Sequence, residues 1–547
     1  MASTLDKPED VDEAAIDQPI SVPETSDTGE SGKLKMIVQL LKRCLGVKDI
    51  AAMRLSLPAS LMEPIPNLEY WQYLDRPDLF AAINDSDDPF ERMLAVLRFT
   101  FSKDLKFIRG KVCKPYNSVL GEHFRAHWDV IPVSYPLDPM QPPLQHLYLS
   151  EAAAQSSLSA LAAPSPRHSS SETASFRSAR SNKSTLSVVS TISKTASAPS
   201  TRKSTPATTP DLNDTELDAR MSNLSLANSG ASQSGSLLEG GDVPTLGDLP
   251  RVRVTYLTEQ VSHHPPVSTF TAACPSRHLE LTGIDQISAK VSGTTLRVVA
   301  GNYNKGFFVK INGGPGEGET YQITHPTAYV NGLLRGSFYI TVADSTIITC
   351  TGPDGQNLRT IIEYKEESWL GRAHFLCEGV IHTYTPGETA HEEWMKVKHV
   401  PRSRVLAVFD GSWKSSIRWK RVDAPDSGYA TLLDLSTLHV IPKMVRPLEK
   451  QMPTESRKMW EKVTTNLLSK DYSEATRHKL IIEQKQRDDA ALMKQKNQTF
   501  VPVYFDGNLD DGIPVMTEAG RKALEEEFHE DGEYPLESIP ESKTASS

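Results

Sequence analysis

The sequence predicts an α+β protein built on a large antiparallel sheet, closed or nearly closed into a barrel, with helices gathered before and after it. Three observations predict it. From Val252 to about Arg421, short strand patterns follow one another (RVRVTYLT, TLRVVAG, GFFVKIN, GSFYITV, TIITCTG, RTIIEYK, VLAVFDGSWKSSIRWKR), separated by Gly, Asn, Asp and Pro turns. Many short strands at regular spacing imply a sheet that curls to hide its own edges. Helical periodicity flanks this block on both sides. Between about Glu151 and Gly247, Ser, Thr, Ala and Pro displace almost all large apolar residues, which reads as an insertion rather than a domain.

Taken in order, residues 1–32 are acidic and nearly free of large apolar side chains, so they are expected to be disordered. Leu34, Ile37, Val38, Leu41 and Leu45 then recur at three and four residues among Lys33, Lys35, Lys42 and Arg43. That pattern suits either a helix packed on the domain or a basic amphipathic helix that meets an anionic membrane. A second helix is expected from about Pro89 to Lys103, followed by strand candidates HFRAHWDVIPV and LQHLYLS. The segment 151–247 cannot bury enough apolar surface to offset its ordering entropy and is expected to be a disordered loop. HLYLS before it and RVRVTYLTEQ after it are expected to pair, since loop closure grows only logarithmically more costly with length. After Pro447 the pattern turns helical (ESRKMWEKVTTNLL, SEATRHKLIIEQKQRDDAALMKQK). The expected organisation is one domain over 33–505, interrupted at 151–247, with a loosely ordered acidic tail at 506–547.

Several function classes fall away on composition. The net charge of −10 over 547 residues argues against bulk nucleic-acid binding, so any basic site must be local. Five cysteines (Cys44, Cys113, Cys274, Cys350, Cys377) form no CxxC pair, which favours reduced thiols in a cytoplasmic protein. The opening residues carry no apolar signal core, and no stretch approaches the roughly 18 apolar residues of a membrane span. A GxSxG elbow, a P-loop and an HExxH motif are all missing, so no enzyme, metal site or cofactor is expected.

Three segments carry chemistry. The first is Glu259-Gln260-Val261-Ser262-His263-His264-Pro265-Pro266 at a strand end. Tandem histidines alone are ordinary, and neighbours on an extended chain face opposite ways, which makes them poor joint zinc ligands. The following Pro-Pro is expected to hold His264 extended and present both imidazoles rigidly. The second is Lys114-Pro115-Tyr116-Asn117. The third is Lys479, Glu483 and Arg487, whose i, i+4, i+8 spacing shares a helix face and would otherwise read as an exposed salt-bridge ladder. Together they supply two histidines, cations, an amide and an orienting carboxylate, the set a phosphorylated polyol requires.

EQVSHHPP resembles the fingerprint of the oxysterol-binding-protein-related lipid-transfer family. The resemblance extends in matching order through LPASLMEP (Leu57–Pro64), KPYNSVLGE, GSWKSSI, RPLEKQMPTESRKMW and KLIIEQKQR. It implies a large incomplete antiparallel β-barrel around a lipid tunnel, with N-terminal lid and helices and a C-terminal helical subdomain. It also implies that Lys114, Asn117, His263, His264, Lys479 and Arg487, with Glu483 beside them, hold the headgroup of phosphatidylinositol 4-phosphate at the tunnel mouth. Ser118 stands where many relatives carry proline, which is expected to loosen that turn slightly. Residues about 34–58 would form the lid, with Leu34, Ile37, Val38, Leu41, Leu57 and Leu61 at the tunnel entrance. The resemblance further implies a monomer, without PH or ankyrin domains, that visits anionic membranes from the cytoplasm: endoplasmic reticulum contact sites, Golgi or plasma membrane. The second lipid is left open between sterol and phosphatidylserine. A lipid-gated sensor or scaffold without net transport is the alternative reading.

Overall fold

The computed structural model describes residues 20–21, 30–44, 47, 49–51, 55–109, 112–138, 141–146, 250–292, 294–333, 338–353, 357–367, 373–423, 428–530 and 536–539. The described residues belong to one compact unit assembled from 1–165 and 245–547. The insertion expected at 151–247 lies outside the described residues.

The N-terminal elements are β1 (Ile20–Ser21), helix α1 (Glu30–Cys44) and β2 (Leu55–Ser56), with β1 and β2 paired in parallel. Two expectations are corrected here. Part of 1–32 is ordered, and α1 begins at Glu30, before the basic residues that had marked its start. Its apolar stripe decides between the two readings of this helix: Met36 and Cys44 are buried, and Ile37, Leu40 and Leu41 face an internal cavity. Helix α2 (Pro89–Ser102) follows, capped by Asp88, whose carboxylate accepts from Phe90 N at 2.9 Å. Nearly every residue of α2 is buried, charged ones included, because it runs through the core. Arg92 forms a two-point pair with Glu319 at 2.6 and 2.8 Å, and Arg98 donates to Leu432 O.

The strands of the main sheet are β3 (His123–Val130), β4 (Val252–His263), β5 (Pro266–Cys274), β6 (Leu279–Asp285), β9 (Phe307–Ile311), β10 (Thr320–Ile323), β13 (Ser345–Thr351), β14 (Asn357–Tyr364), β15 (Leu376–Tyr384), β16 (Val405–Ser412), β17 (Ser416–Arg421) and β18 (Ala430–Asp434). They are antiparallel neighbours in that order, and β3 and β18 do not pair with each other, so the barrel is incomplete. Two excursions, β7 (Ile287–Ser292) with β8 (Thr295–Ala300) and β11 (Thr327–Asn331) with β12 (Tyr339–Ala343), leave the main sheet and join as a four-stranded sheet of their own. The open β18 edge is stitched to α2 by the Arg98–Leu432 bond, one of the ways a sheet edge is covered. Gly379 shows how tightly the sheet closes on its core. A Cβ there would fall 2.0 Å from the Phe409 ring.

The expected pairing of HLYLS with RVRVTYLTEQ falls mostly on residues 147–150, outside the described residues, but β4 leaves it no free edge. Both edges of β4 are occupied, by β3 (His123 opposite Glu259) and by β5 (Glu259 opposite Thr269), and Leu144 instead bridges back to Ser134. The strand that precedes the insertion and pairs across it is therefore HFRAHWDV. After β18 come short helices at Ser456–Met459 and Glu461–Leu468, then α3 (Tyr472–Gln495) and α4 (Glu518–Phe528). Helix α4 corrects the expectation of a loose tail. It lies on β3 and β4 with Ala523 and Leu524 buried. Its Glu527 is fully buried and paired with His127 (2.7 Å) and Arg446 (2.9 Å). Four scattered apolar positions in an acidic stretch hide a helix whose buried face is held partly by charge.

Candidate lipid-binding site

A cavity of about 1980 Å³ runs through the molecule. That is roughly twice the 1,000 Å³ upper end of drug-sized ligand pockets. Its walls come from α1, the small sheet, the C-terminal end of α2 and the helix α3, and they are dominated by aliphatic and aromatic side chains such as Val291, Leu296, Val298 and Ile340. Of the entrance residues named from sequence, Ile37, Leu41, Leu57 and Leu61 line it. Val38 is half-buried and is not among the lining residues, and the side chain of Leu34 lies outside the described residues.

The three motifs meet at this cavity: Lys114, Asn117, His263, His264, Glu483 and Arg487 all border it. The backbone explains how stretches more than a hundred residues apart converge. Gly121 N donates to Gln260 O at 2.9 Å and Gln260 N to Glu122 O at 2.8 Å, which joins the KPYNSVLGE turn to the end of β4. Gly121 has φ +78°, and a Cβ there would meet the Phe500 ring at 3.3 Å. The turn is seated on the late helices by Tyr116. Its ring packs 4.9 Å from that of Trp460, and its hydroxyl lies 2.9 Å from Thr464 Oγ1. Glu122, fully buried, accepts from Ser456 Oγ (2.6 Å), Trp460 Nε1 (3.1 Å) and Val119 N (2.9 Å). LPASLMEP closes the ring, with Glu63 N on Lys114 O (3.0 Å) and Ala59 N on Thr476 Oγ1 (3.3 Å).

Within the rim, Lys114 Nζ donates to Asn117 Oδ1 (2.8 Å) and to Pro115 O (2.9 Å). Burial, and then repulsion from the nearby Lys479 ammonium, push its pKa down to about 8. Lys479 is itself 1 % exposed and pairs with Glu483 at 2.6 Å. It therefore stands behind the lining rather than in it, and Glu483 is the member of that pair that reaches the cavity. Arg487 is exposed and is steadied by Gln484 Oε1 at 2.9 and 3.1 Å.

His263 ends β4, and His264 with Pro265 forms the two-residue connection to β5, joined by a cis peptide. His264 thus sits in the hairpin turn between β4 and β5. The placing of the rings differs from the expectation, since His263 Nδ1 and His264 Nε2 lie 3.0 Å apart, one donating to the other, instead of pointing to opposite faces. Ser118, expected to loosen its turn, is buried and takes a bond from Asn67 Nδ2 at 3.0 Å.

Two groups escaped the sequence reading. One is a brace: Glu69, 2 % exposed, accepts from Arg457 at 2.6 and 2.9 Å and faces Lys443 at 3.4 Å. Burial alone would raise its carboxyl; the charges and bonds of Arg457 and Lys443 overcome this and hold it at about 2. The other is a polar group inside the apolar cavity. Tyr73 donates to Asp285 at 2.7 Å, Lys103 pairs with Asp104, and His325 Nε2 is buried with no hydrogen-bond partner among the described residues. Burial pushes Asp285 up to about 7 and His325 down to about 3. No spacing rule marks either group, because each draws its members from separate elements.

An open antiparallel barrel, a lipid-sized apolar cavity and a rim of cations and imidazoles define a lipid-binding protein. The family model described as oxysterol-binding protein matches residues 36–139 and 245–527. The chain is 39% identical to Oxysterol-binding protein-like protein 1 of Schizosaccharomyces pombe over 506 residues, 92% of each chain. It is 28% identical to Oxysterol-binding protein homolog 6 of Saccharomyces cerevisiae over 47% of this chain and 53% of that one. Among solved structures, the Osh1 ORD domain in complex with cholesterol superposes with a TM-score of 0.51 at 16% identity, covering 91% of this chain and 90% of that one. This chain belongs to the oxysterol-binding protein family, whose members bind and transfer lipids and are not enzymes.

Proposed function

We propose that this chain carries phosphatidylinositol 4-phosphate, headgroup at the rim and acyl chains in the cavity, and exchanges it for a second lipid, sterol or phosphatidylserine, in the same space. One observation carries the reading: Lys114, Asn117, His263, His264, Glu483 and Arg487 come from three distant stretches and border one cavity. Cationic donors and imidazoles within a single rim match a phosphate monoester, and the amide suits the ring hydroxyls. Lys479 serves as the buried charge that, through Glu483, keeps the rim in place.

The energetics favour a carrier. Exposing some 30 methylenes to water would cost on the order of 20 kcal/mol at about 0.8 per CH₂. Passage from bilayer to an apolar cavity avoids that cost, so enclosure matters more than affinity. Helix α1, with its apolar stripe turned inward, supplies the enclosure as a lid. Two lipids competing for one cavity let a phosphoinositide gradient drive the other uphill. Work from the cytoplasm, with transient visits to anionic membranes at endoplasmic reticulum contacts, the Golgi or the plasma membrane, fits the lack, among the described residues, of disulfides and of any helix long and apolar enough to cross a membrane.

The test loads purified protein with labelled phosphatidylinositol 4-phosphate and follows transfer between liposomes. The double variant His263→Ala/His264→Ala is expected to lose at least about tenfold in transfer, two charge-assisted contacts being removed. Transfer at the unmodified rate would remove the headgroup assignment.

A further inference from the structure

Glu259 has no role in the site as described. It lies on β4, four residues before His263, with no exposed surface and no place in the cavity lining. A buried carboxylate must find donors. Glu259 finds three, all backbone: Val503 N at 2.8 Å, Tyr504 N at 2.8 Å and Phe505 N at 3.3 Å. These belong to the extended segment that leaves α3 and leads toward α4. Among the described residues, the ladder contact of 500–505 is a bridge from Phe505 to Met516. The carboxylate thus takes the place of a partner strand for this piece of chain.

The segment touches all three parts of the headgroup rim. Upstream it continues from α3, which bears Glu483 and Arg487. Phe500 lines the cavity and covers Gly121, whose N–H ties the KPYN turn to β4. On its far side Thr517 holds it a second time, with Oγ1 donating to Val503 O at 2.6 Å and N to Tyr504 O at 3.0 Å. Glu259 therefore anchors, from the strand that ends at His263, the chain that continues from α3 and packs against the KPYN turn.

We infer that Glu259 is a positioning residue of the rim: by gathering the amides of 503–505 it sets the histidine hairpin against Arg487 and the KPYN turn, without touching ligand. The inference rests on the headgroup reading above and deepens it. A brace of this kind acts through geometry, so its loss registers in the imidazoles before any lipid is added.

The experiment uses the full chain with Glu259→Gln, which keeps the shape but replaces one acceptor oxygen with a donor facing backbone N–H groups. The ring resonances of His263 and His264 in ¹⁵N-histidine-labelled, lipid-free protein are expected to shift. Extraction of phosphatidylinositol 4-phosphate from vesicles is expected to fall about tenfold, the scale of losses when an orienting partner is removed. Unmoved rings overturn the inference. So does unchanged extraction by Glu259→Gln where His263→Ala/His264→Ala abolishes it. Unchanged extraction by the double histidine variant instead removes the headgroup reading, and the positioning role with it. Should Glu259→Gln fail to fold, Thr517→Ala removes the side-chain bond to Val503 O and loosens the same segment from its other side. Ring shifts and weakened extraction are expected there as well, and their absence overturns the inference equally.

Discussion

Raising the pH is expected to weaken phosphoinositide binding through Lys114. In the lipid-free protein this ammonium is held down to about 8, first by burial and then by Lys479. A phosphate placed at the rim favours the charged form and moves the pKa back toward the ordinary lysine value of about 10.4. Proton uptake therefore accompanies binding between those two values, and linkage makes affinity fall as pH rises through the lower one. With a free pKa of 8, the protonated fraction drops from about 0.9 at pH 7 to about 0.1 at pH 9, so affinity falls roughly tenfold, or about 1.4 kcal/mol. Above pH 7 the phosphate adds little to this slope, since its second ionisation lies near pH 6. The assay is equilibrium extraction of phosphatidylinositol 4-phosphate from vesicles at fixed salt between pH 6.5 and 9.5. Lys114→Arg keeps its charge throughout and is expected to flatten the profile, with some loss of affinity from the altered geometry. A flat wild-type profile would refute the reasoning, and so would a slope that survives in Lys114→Arg.

Two further outcomes concern stability. Leu524→Ala empties a buried site where α4 meets the sheet and is expected to destabilise the protein by about 2–3 kcal/mol in urea unfolding; an unchanged midpoint would mean that α4 contributes nothing to the fold. Arg457→Ala strands the buried Glu69 carboxylate beside Lys443 alone and is expected to cost about 3–5 kcal/mol, of which Glu69→Gln in the same chain should recover a part. A double variant no more stable than Arg457→Ala would show that the pair is not coupled.

Local pattern carried much of the architecture. The alternation from Val252 to Arg421 marks real strands, and the three- and four-residue spacing of Leu34, Ile37, Val38 and Leu41 marks α1, because a side chain's face follows directly from backbone period. The three chemical segments were legible for the same reason: EQVSHHPP, KPYN and KLIIEQKQR are contiguous, so their residue types can be read without knowing where the chain goes. The failures are equally physical. LQHLYLS looked like a partner for β4, but pairing depends on which edges are free, and β3 and β5 had taken both. Helix α4 escaped because its buried face is completed by Glu527, a residue type that ordinarily signals solvent.

By itself, then, the sequence determined the strand-rich α+β class, the amphipathic pattern of α1 and the kinds of groups available to the rim. Only the tertiary structure decided that α1 turns its stripe inward, that the His263 and His264 rings meet, and that Lys479 stands behind Glu483. The physical reason is that period and composition act over a few residues, whereas edge occupancy, ion pairing and the burial of Glu69, Glu122 and Glu259 depend on segments brought together from across the chain.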